Sequence, residues 1–173
     1  MTTTATSIKT ARRNAFTLDE LRSFIEDEAD LLDEQRFDDW HALFAEDGVY
    51  WAPAAHDQES WLTHVSLYFD EKHIMKTRIA RLKHPMIHCQ DPKSACVRVL
   101  SNFKVEWASE DGNEYRVRSK FIMLEDRKGA DRRCYGGRYI HTLRRRGDGL
   151  EIVVKKAELT NCDQAFPMLT QPF

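Results

Sequence analysis

Several things are scarce in this sequence, and each scarcity removes a class of answer. The four cysteines, Cys89, Cys96, Cys134 and Cys162, are widely spaced and form no Cys-x-x-Cys pair. That usage points to reduced thiols in a cytoplasmic protein rather than to a disulfide framework. No run approaches the roughly 18 consecutive apolar residues of a membrane span. The opening segment, MTTTATSIKTARRNA, has no apolar stretch, so it is not expected to be a signal peptide. Residues 1–15 read instead as a flexible arm, which could also pack on a partner subunit. A G-x-S-x-G elbow, a P-loop and a dinucleotide fingerprint are all missing. There is no internal repeat or low-complexity segment.

What is present fits one domain, expected over residues 16–173. The chain has 173 residues, 42% of them hydrophobic, enough for a real core. Net charge is −2, so bulk charge argues for neither nucleic acid nor membrane. The charge is unevenly placed. Asp19 to Asp47 holds twelve acids against Arg22 and Arg36, while Arg116 to Arg146 holds eleven bases against three acids. Two solvated faces of opposite sign are the simplest reading, and a charged surface for a protein partner the sharper one.

The first half reads as helices. Thr17 with Glu20 makes a capping box, and Leu21, Ile25, Leu31 and Leu32 give a helical stripe from about Leu18 to Gln35. Asp38 is expected to cap a second helix carrying Trp40, Leu43 and Phe44. Gly48 is expected to end that helix in the left-handed conformation, before a strand at Val49-Tyr50-Trp51 that Pro53 stops. Trp61 to Phe69 is ambiguous between strand and coil. Asp70 is expected to cap a third helix with Met75, Ile79 and Leu82 inward, ending at His84-Pro85.

From Ala95 the period becomes two. Val97, Val99, Phe103, Val105 and Trp107 should share one face of a long strand, and Tyr115, Val117, Phe121 and Met123 alternate on its return. Cys134 to Arg146 and Leu150 to Thr160 are two more strands, with a bulge or bend expected at Gly136-Gly137. Phe166, Leu169 and Phe173 should dock the tail on the domain or on a neighbour. Helices first and hairpin-linked strands after give an α+β domain, a strongly bent antiparallel sheet under N-terminal helices.

In this order the residues resemble a known family. Glu28–Trp40 (EADLLDEQRFDDW) and Leu43–Pro53 (LFAEDGVYWAP) are similar to the beta, or small, subunit of aromatic-ring-hydroxylating dioxygenases. Tyr68–Glu71, Arg78–Leu82, Val99–Phe103, Gly136–Tyr139 and Leu143-Arg144 continue the match, over roughly residues 16 to 165. The resemblance implies a cone-shaped sheet of the nuclear transport factor 2, or cystatin-like, kind. It implies a non-catalytic subunit that forms a homotrimer and carries three catalytic alpha subunits. The alpha subunit would hold the Rieske 2Fe-2S cluster and the mononuclear iron, with a reductase and often a ferredoxin supplying electrons. The run Arg144-Arg145-Arg146 is a departure with no role in the family pattern, and the arm falls outside that pattern.

The residues can be tested for chemistry of their own. A Rieske centre needs Cys-x-His pairs, and no cysteine here has a histidine two residues on. Cys89 directly follows His88, which puts the two on opposite faces of a strand. An oxygenase iron needs two histidines and a carboxylate on one face. His84, His88 and His141 qualify by number only, because Pro85 breaks any helix aligning the first two. A rival reading is a standalone isomerase or dehydratase with a carboxylate beside Tyr or His in a dry cone. Asp38, Asp39, His41, Tyr50, His64 and His141 are its candidates. Each has a simpler role: Asp38 as cap, His41 at the lid's edge, Tyr50 as core, His64 at an interface. Arg116, Arg118 and Lys120 lack the aromatic row that nucleic acid would need. The tryptophans Trp40, Trp51, Trp61 and Trp107 are core or interface anchors. The expectation is therefore no catalytic, cofactor-binding or metal-binding residue in this chain.

Overall fold

The computed structural model describes residues 15–166 and 169–173. The arm expected over residues 1–15 falls, apart from Ala15, outside the described residues.

Helix α1 (Leu18–Asp33) starts as its sequence requires. The Thr17 backbone N–H donates to Glu20 Oε2 at 2.8 Å, and the Glu20 N–H donates to Thr17 Oγ1 at 3.3 Å. Leu21, Ile25 and Leu32 form its buried stripe, each stabilising by about 1.5–3 kcal/mol on leaving water. The helix stops at Asp33, two residues before Gln35. Gln35 turns left-handed (φ 57°), and the Arg36 N–H donates back to the Leu31 carbonyl at 2.8 Å.

Two expected caps are not caps. Helix α2 (Phe37–Ala42) has Arg36 at its N-cap with no side-chain bond. Asp38 lies in the first turn, exposed, and pairs with Lys83. Helix α3 (Lys72–Leu82) has Glu71 at its N-cap. Asp70 points the other way, into the protein, where Arg78 grips it through Nε at 2.5 Å and Nη2 at 2.7 Å. A buried carboxylate with a bidentate guanidinium is worth more than an exposed cap, so Asp70 turns inward.

Strand β1 runs Phe44–Pro53, starting earlier than expected. Gly48 is inside it rather than ending α2. A Cβ there would sit 2.8 Å from the Ala45 carbonyl oxygen and 2.9 Å from that of Ile152. The glycine serves a close backbone approach, where the β1 register shifts. The ambiguous segment resolves as strand β2 (Ser66–Glu71). Strands β3 (Ala95–Ala108), β4 (Glu114–Asp126), β5 (Arg133–Arg146) and β6 (Gly149–Leu159) are the long ones.

The strands form one curved, open sheet in the order β2-β1-β6-β5-β4-β3. All its pairings are antiparallel except β1–β6, which is parallel because α1 and α2 lead β1 into the sheet beside the last strand. The register shifts fall in β1, in β3 around left-handed Asn102 (φ 56°) and again before Trp107, and at Thr142/Leu143 of β5, not at the glycine pair. Gly136 and Gly137 keep an unbroken register with β4. Gly137 is there because a Cβ would fall 1.9 Å from the Glu158 carbonyl oxygen. The helices cover the inner face of the sheet, making a cone. Its wide end is closed by the tail, with Gln171 and Phe173 buried. Among the described residues, no helix covers the outer face.

Candidate functional site

The chemistry-bearing groups converge inside the cone. On α1 the positions Leu21, Ile25, Glu28 and Leu32 share one stripe, so the Glu28 carboxylate enters the core with its apolar neighbours. Alternation on β6 turns Lys155, Ala157 and Leu159 inward, and on β5 it turns Tyr139, His141 and Leu143 inward. Glu28, His141 and Lys155 are all 0% exposed.

Lys155 Nζ donates to Glu28 Oε1 at 2.8 Å, and the indole N–H of Trp40 donates to the same oxygen. His141 Nε2 lies 3.6 Å from Glu28 Oε2. The ammonium of Lys155 also stands 4.7 Å from the centre of the Tyr139 ring. Burial alone would raise the Glu28 pKa. The Lys155 charge and the His141 contact outweigh it and lower the value to about 2. Burial brings Lys155 down to about 8 against the pull of Glu28, and burial likewise lowers His141. The ionised pair Glu28⁻–Lys155⁺ beside a neutral His141 is the state these surroundings favour. It has the residue types of an acid–base site. No group in it meets solvent, and Tyr50, Trp40 and Tyr139 pack around it.

Of the sequence candidates, only Tyr50 and His141 reach the cone interior. Asp38 and Asp39 are exposed, Asp39 bridging Arg36 at 2.8 Å. His41 is half-buried, with Nε2 2.9 Å from the Lys72 carbonyl oxygen. His64 is exposed, beside the Thr63 hydroxyl. The carboxylates proposed for a general base are thus outside the hollow. Glu28 and Lys155 were missed because a charged residue reads as a solvated one. The signal was there: Glu28 falls on the apolar stripe, and Lys155 keeps step with Ala157 and Leu159.

His84, just past α3, and His88, which opens a 3-10 turn at His88–Gln90, are both exposed and cannot join His141 in the core. Among the described residues no group of three His, Cys, Asp or Glu is placed to hold a metal. The side chain of Cys89 lies outside the description. Among the described residues, no helix is long and apolar enough to cross a membrane.

The outer face of the sheet is chemically different. Val99 is 62% exposed, Ile122 55% and Trp107 49%, and Val97 is also bare. Val99 pairs with Ile122 across β3 and β4. Beside them a cleft of about 690 Å³ is lined by Val99, Ile122, Arg118, Lys120, Arg138 and Glu158. Apolar groups ringed by bases suit a protein contact more than a small substrate.

Comparison with known proteins gives a consistent result. The sequence profile described as "Ring hydroxylating beta subunit" matches residues 27–164. The small oxygenase component of the p-cumate 2,3-dioxygenase system of Pseudomonas putida is 31% identical over 144 residues, covering 80% of this chain and 78% of the relative. The crystal structure of the beta subunit of benzoate 1,2-dioxygenase from Burkholderia mallei superposes with a TM-score of 0.73 at 23% identity, covering 86% of this chain and 94% of that one. An NTF2-like protein with a cystatin-like fold from Novosphingobium aromaticivorans gives 0.55 at 18% identity, covering 83% and 81%.

Proposed function

The chain belongs to the ring hydroxylating beta subunit family, and from that membership we propose that it is the structural, non-catalytic subunit of a multicomponent aromatic-ring-hydroxylating dioxygenase. Its partner is the catalytic alpha subunit. We assign it a cytoplasmic homotrimer whose outer sheet faces seal against sibling chains and hold three alpha subunits in place. The Rieske cluster and the mononuclear iron belong to the alpha subunit, and a reductase, with or without a ferredoxin, serves the whole assembly. The observation that carries this reading is the family match over residues 27–164. The bare apolar and basic sheet face supports it. The alternative of a standalone isomerase or dehydratase gains nothing from the geometry, since Asp38 and Asp39 stand outside the cone and Glu28 is tied to Lys155.

The test is to purify the chain alone and together with a ring-hydroxylating alpha subunit. The isolated chain should contain no stoichiometric iron or sulfide and oxidise no aromatic substrate. The co-purified assembly should contain both and turn over. Stoichiometric iron on the isolated chain, or failure of the two subunits to associate, would overturn the proposal.

A further inference from the structure

The tail is held less like packed chain and more like a bound ligand. The Phe173 ring lies edge-on to Tyr68 (5.6 Å) and to Tyr135 (5.2 Å). Its backbone N–H donates to the Tyr50 hydroxyl oxygen at 2.8 Å. The Tyr68 hydroxyl donates to the Gln171 carbonyl at 3.3 Å, and Arg98 Nη2 donates to the Pro172 carbonyl at 2.5 Å. The tail therefore offers the cone one aromatic ring and, a short spacer away, an oxygen acceptor for a buried guanidinium.

That guanidinium is incompletely used. Arg98 Nη1 pairs with Asp33. The other edge, Nε with Nη2, is the side-on fork whose parallel N–H groups fit the two oxygens of a carboxylate. Here it meets a single carbonyl oxygen, and the buried Nε has no partner. The buried Tyr139 hydroxyl faces the same guanidinium without a well-formed hydrogen bond to it. Buried donors without acceptors are rare in native proteins and ask for an explanation. Residues 169–173 belong to no helix or strand, so they can leave without breaking the sheet. Their latch is made of side chains, Gln171 Nε2 to Gln90 Oε1 at 2.8 Å and Gln90 Nε2 to Thr170 Oγ1 at 2.6 Å. A cleft of about 300 Å³, lined by Phe37, Gln90 and Gln171 among others, opens beside that latch.

We propose that the wide end of the cone is a binding site for small aryl-alkyl carboxylates, filled in this structure by the chain's own tail. The ligand's ring takes the place of Phe173 between Tyr68 and Tyr135. Its carboxylate takes both N–H groups of the Arg98 fork, which a single carbonyl cannot. The tail is the competitor that sets the apparent affinity. The site binds and does not turn over, and it is independent of the assembly role.

Phenylbutyrate matches the spacing, because its methylene chain replaces the N, Cα and Cβ atoms between the Pro172 carbonyl and the Phe173 ring. Calorimetric titration of the full chain and of Phe173→Ala tests the proposal, with phenylbutanol as the ligand lacking a carboxylate. Phe173→Ala should bind phenylbutyrate at least about tenfold more tightly than the unaltered chain, because the ring that competes for the slot between Tyr68 and Tyr135 is gone. It should prefer phenylbutyrate to phenylbutanol by at least about tenfold, because the alcohol cannot fill the fork. A folded Phe173→Ala chain that binds neither ligand, or binds both equally, overturns the proposal. Should that variant not fold, the unaltered chain decides. Phenylbutyrate near its solubility limit should speed hydrogen exchange of the Phe173 amide, and unchanged exchange would overturn the site.

Discussion

Glu28 and Lys155 neutralise each other where neither can reach water. Removing one strands the other, which typically costs about 3–5 kcal/mol, whereas replacing both by groups of similar shape is often nearly neutral. Lys155→Met should therefore lower the unfolding free energy in urea by about 3–5 kcal/mol, and Glu28→Gln with Lys155→Met should recover most of it. A double variant as unstable as the worse single one would show that the pairing is not what matters. The same groups set the acid response. His141 and Glu28 both have folded-state pKa values below their ordinary 6.5 and 4.5. The unfolded chain therefore takes each proton first, so stability rises with pH through both ranges. Their contribution is complete above 6.5. It declines as pH falls below that through His141, and again from 4.5 towards 2 through Glu28. Urea midpoints measured along that descent should fall in two stages, and Glu28→Gln with Lys155→Met should erase the lower one.

Among the elements, the two adjacent glycines of β5 make a controlled comparison. Gly137→Ala drives a Cβ into the Glu158 carbonyl, 1.9 Å away, and neither backbone can give without parting β5 from β6. It should destabilise by about 3 kcal/mol, the upper end of ordinary overpacking. Gly136→Ala meets nothing nearer than the Phe121 carbonyl at 3.5 Å and should be close to neutral in the same urea titration. Equal effects would remove the packing explanation for Gly137. This pair also shows how far the elements were legible. The α1 capping box and the alternation along β4 and β5 follow from local rules and stand where they were expected. The single face expected for Val97, Val99, Phe103, Val105 and Trp107 is instead split by the register shifts of β3, which leave Val99 opposite outward Ile122 but set Val105 opposite inward Val117. Gly48 and Gly137 read as chain breaks because a glycine's role in the sequence is conformational freedom. Their role in the fold is space, set by the Ala45 and Ile152 carbonyls at Gly48 and by the Glu158 carbonyl of the paired strand at Gly137. Asp38 and Asp70 read as caps for a similar reason: the rule sees the next three residues, while Lys83 and Arg78 lie much further along. In the cone, His141 and Tyr50 were visible as polar groups in apolar strands. Glu28 and Lys155 were hidden by their charge, and the Arg98 fork by its place in a strand whose neighbours face outward.

At the scale of the molecule, the described residues seal one face of the sheet and leave the other open. Helices α1 to α3 and the tail cover the inside, while Val97, Val99, Trp107 and Ile122 remain open to solvent among Arg118, Lys120 and Arg138. An exposed apolar strip of this kind on an otherwise charged protein marks a contact surface. The acidic exposed side of α1, with Asp19, Asp27 and Asp30, offers an opposite charge for such a contact. In the proposed assembly this is the face that sibling chains bury, and its loss should disperse them without unfolding the domain.

Sedimentation of the purified chain tests that claim most directly, run on the unaltered protein and on Val99→Glu with Ile122→Glu. The unaltered chain should sediment at three times its 20.3 kDa mass, and the charged variant, with an unchanged circular dichroism spectrum, should fall to a single chain. An unaltered chain that stays single at micromolar concentration, or a charged variant that still associates, would contradict it.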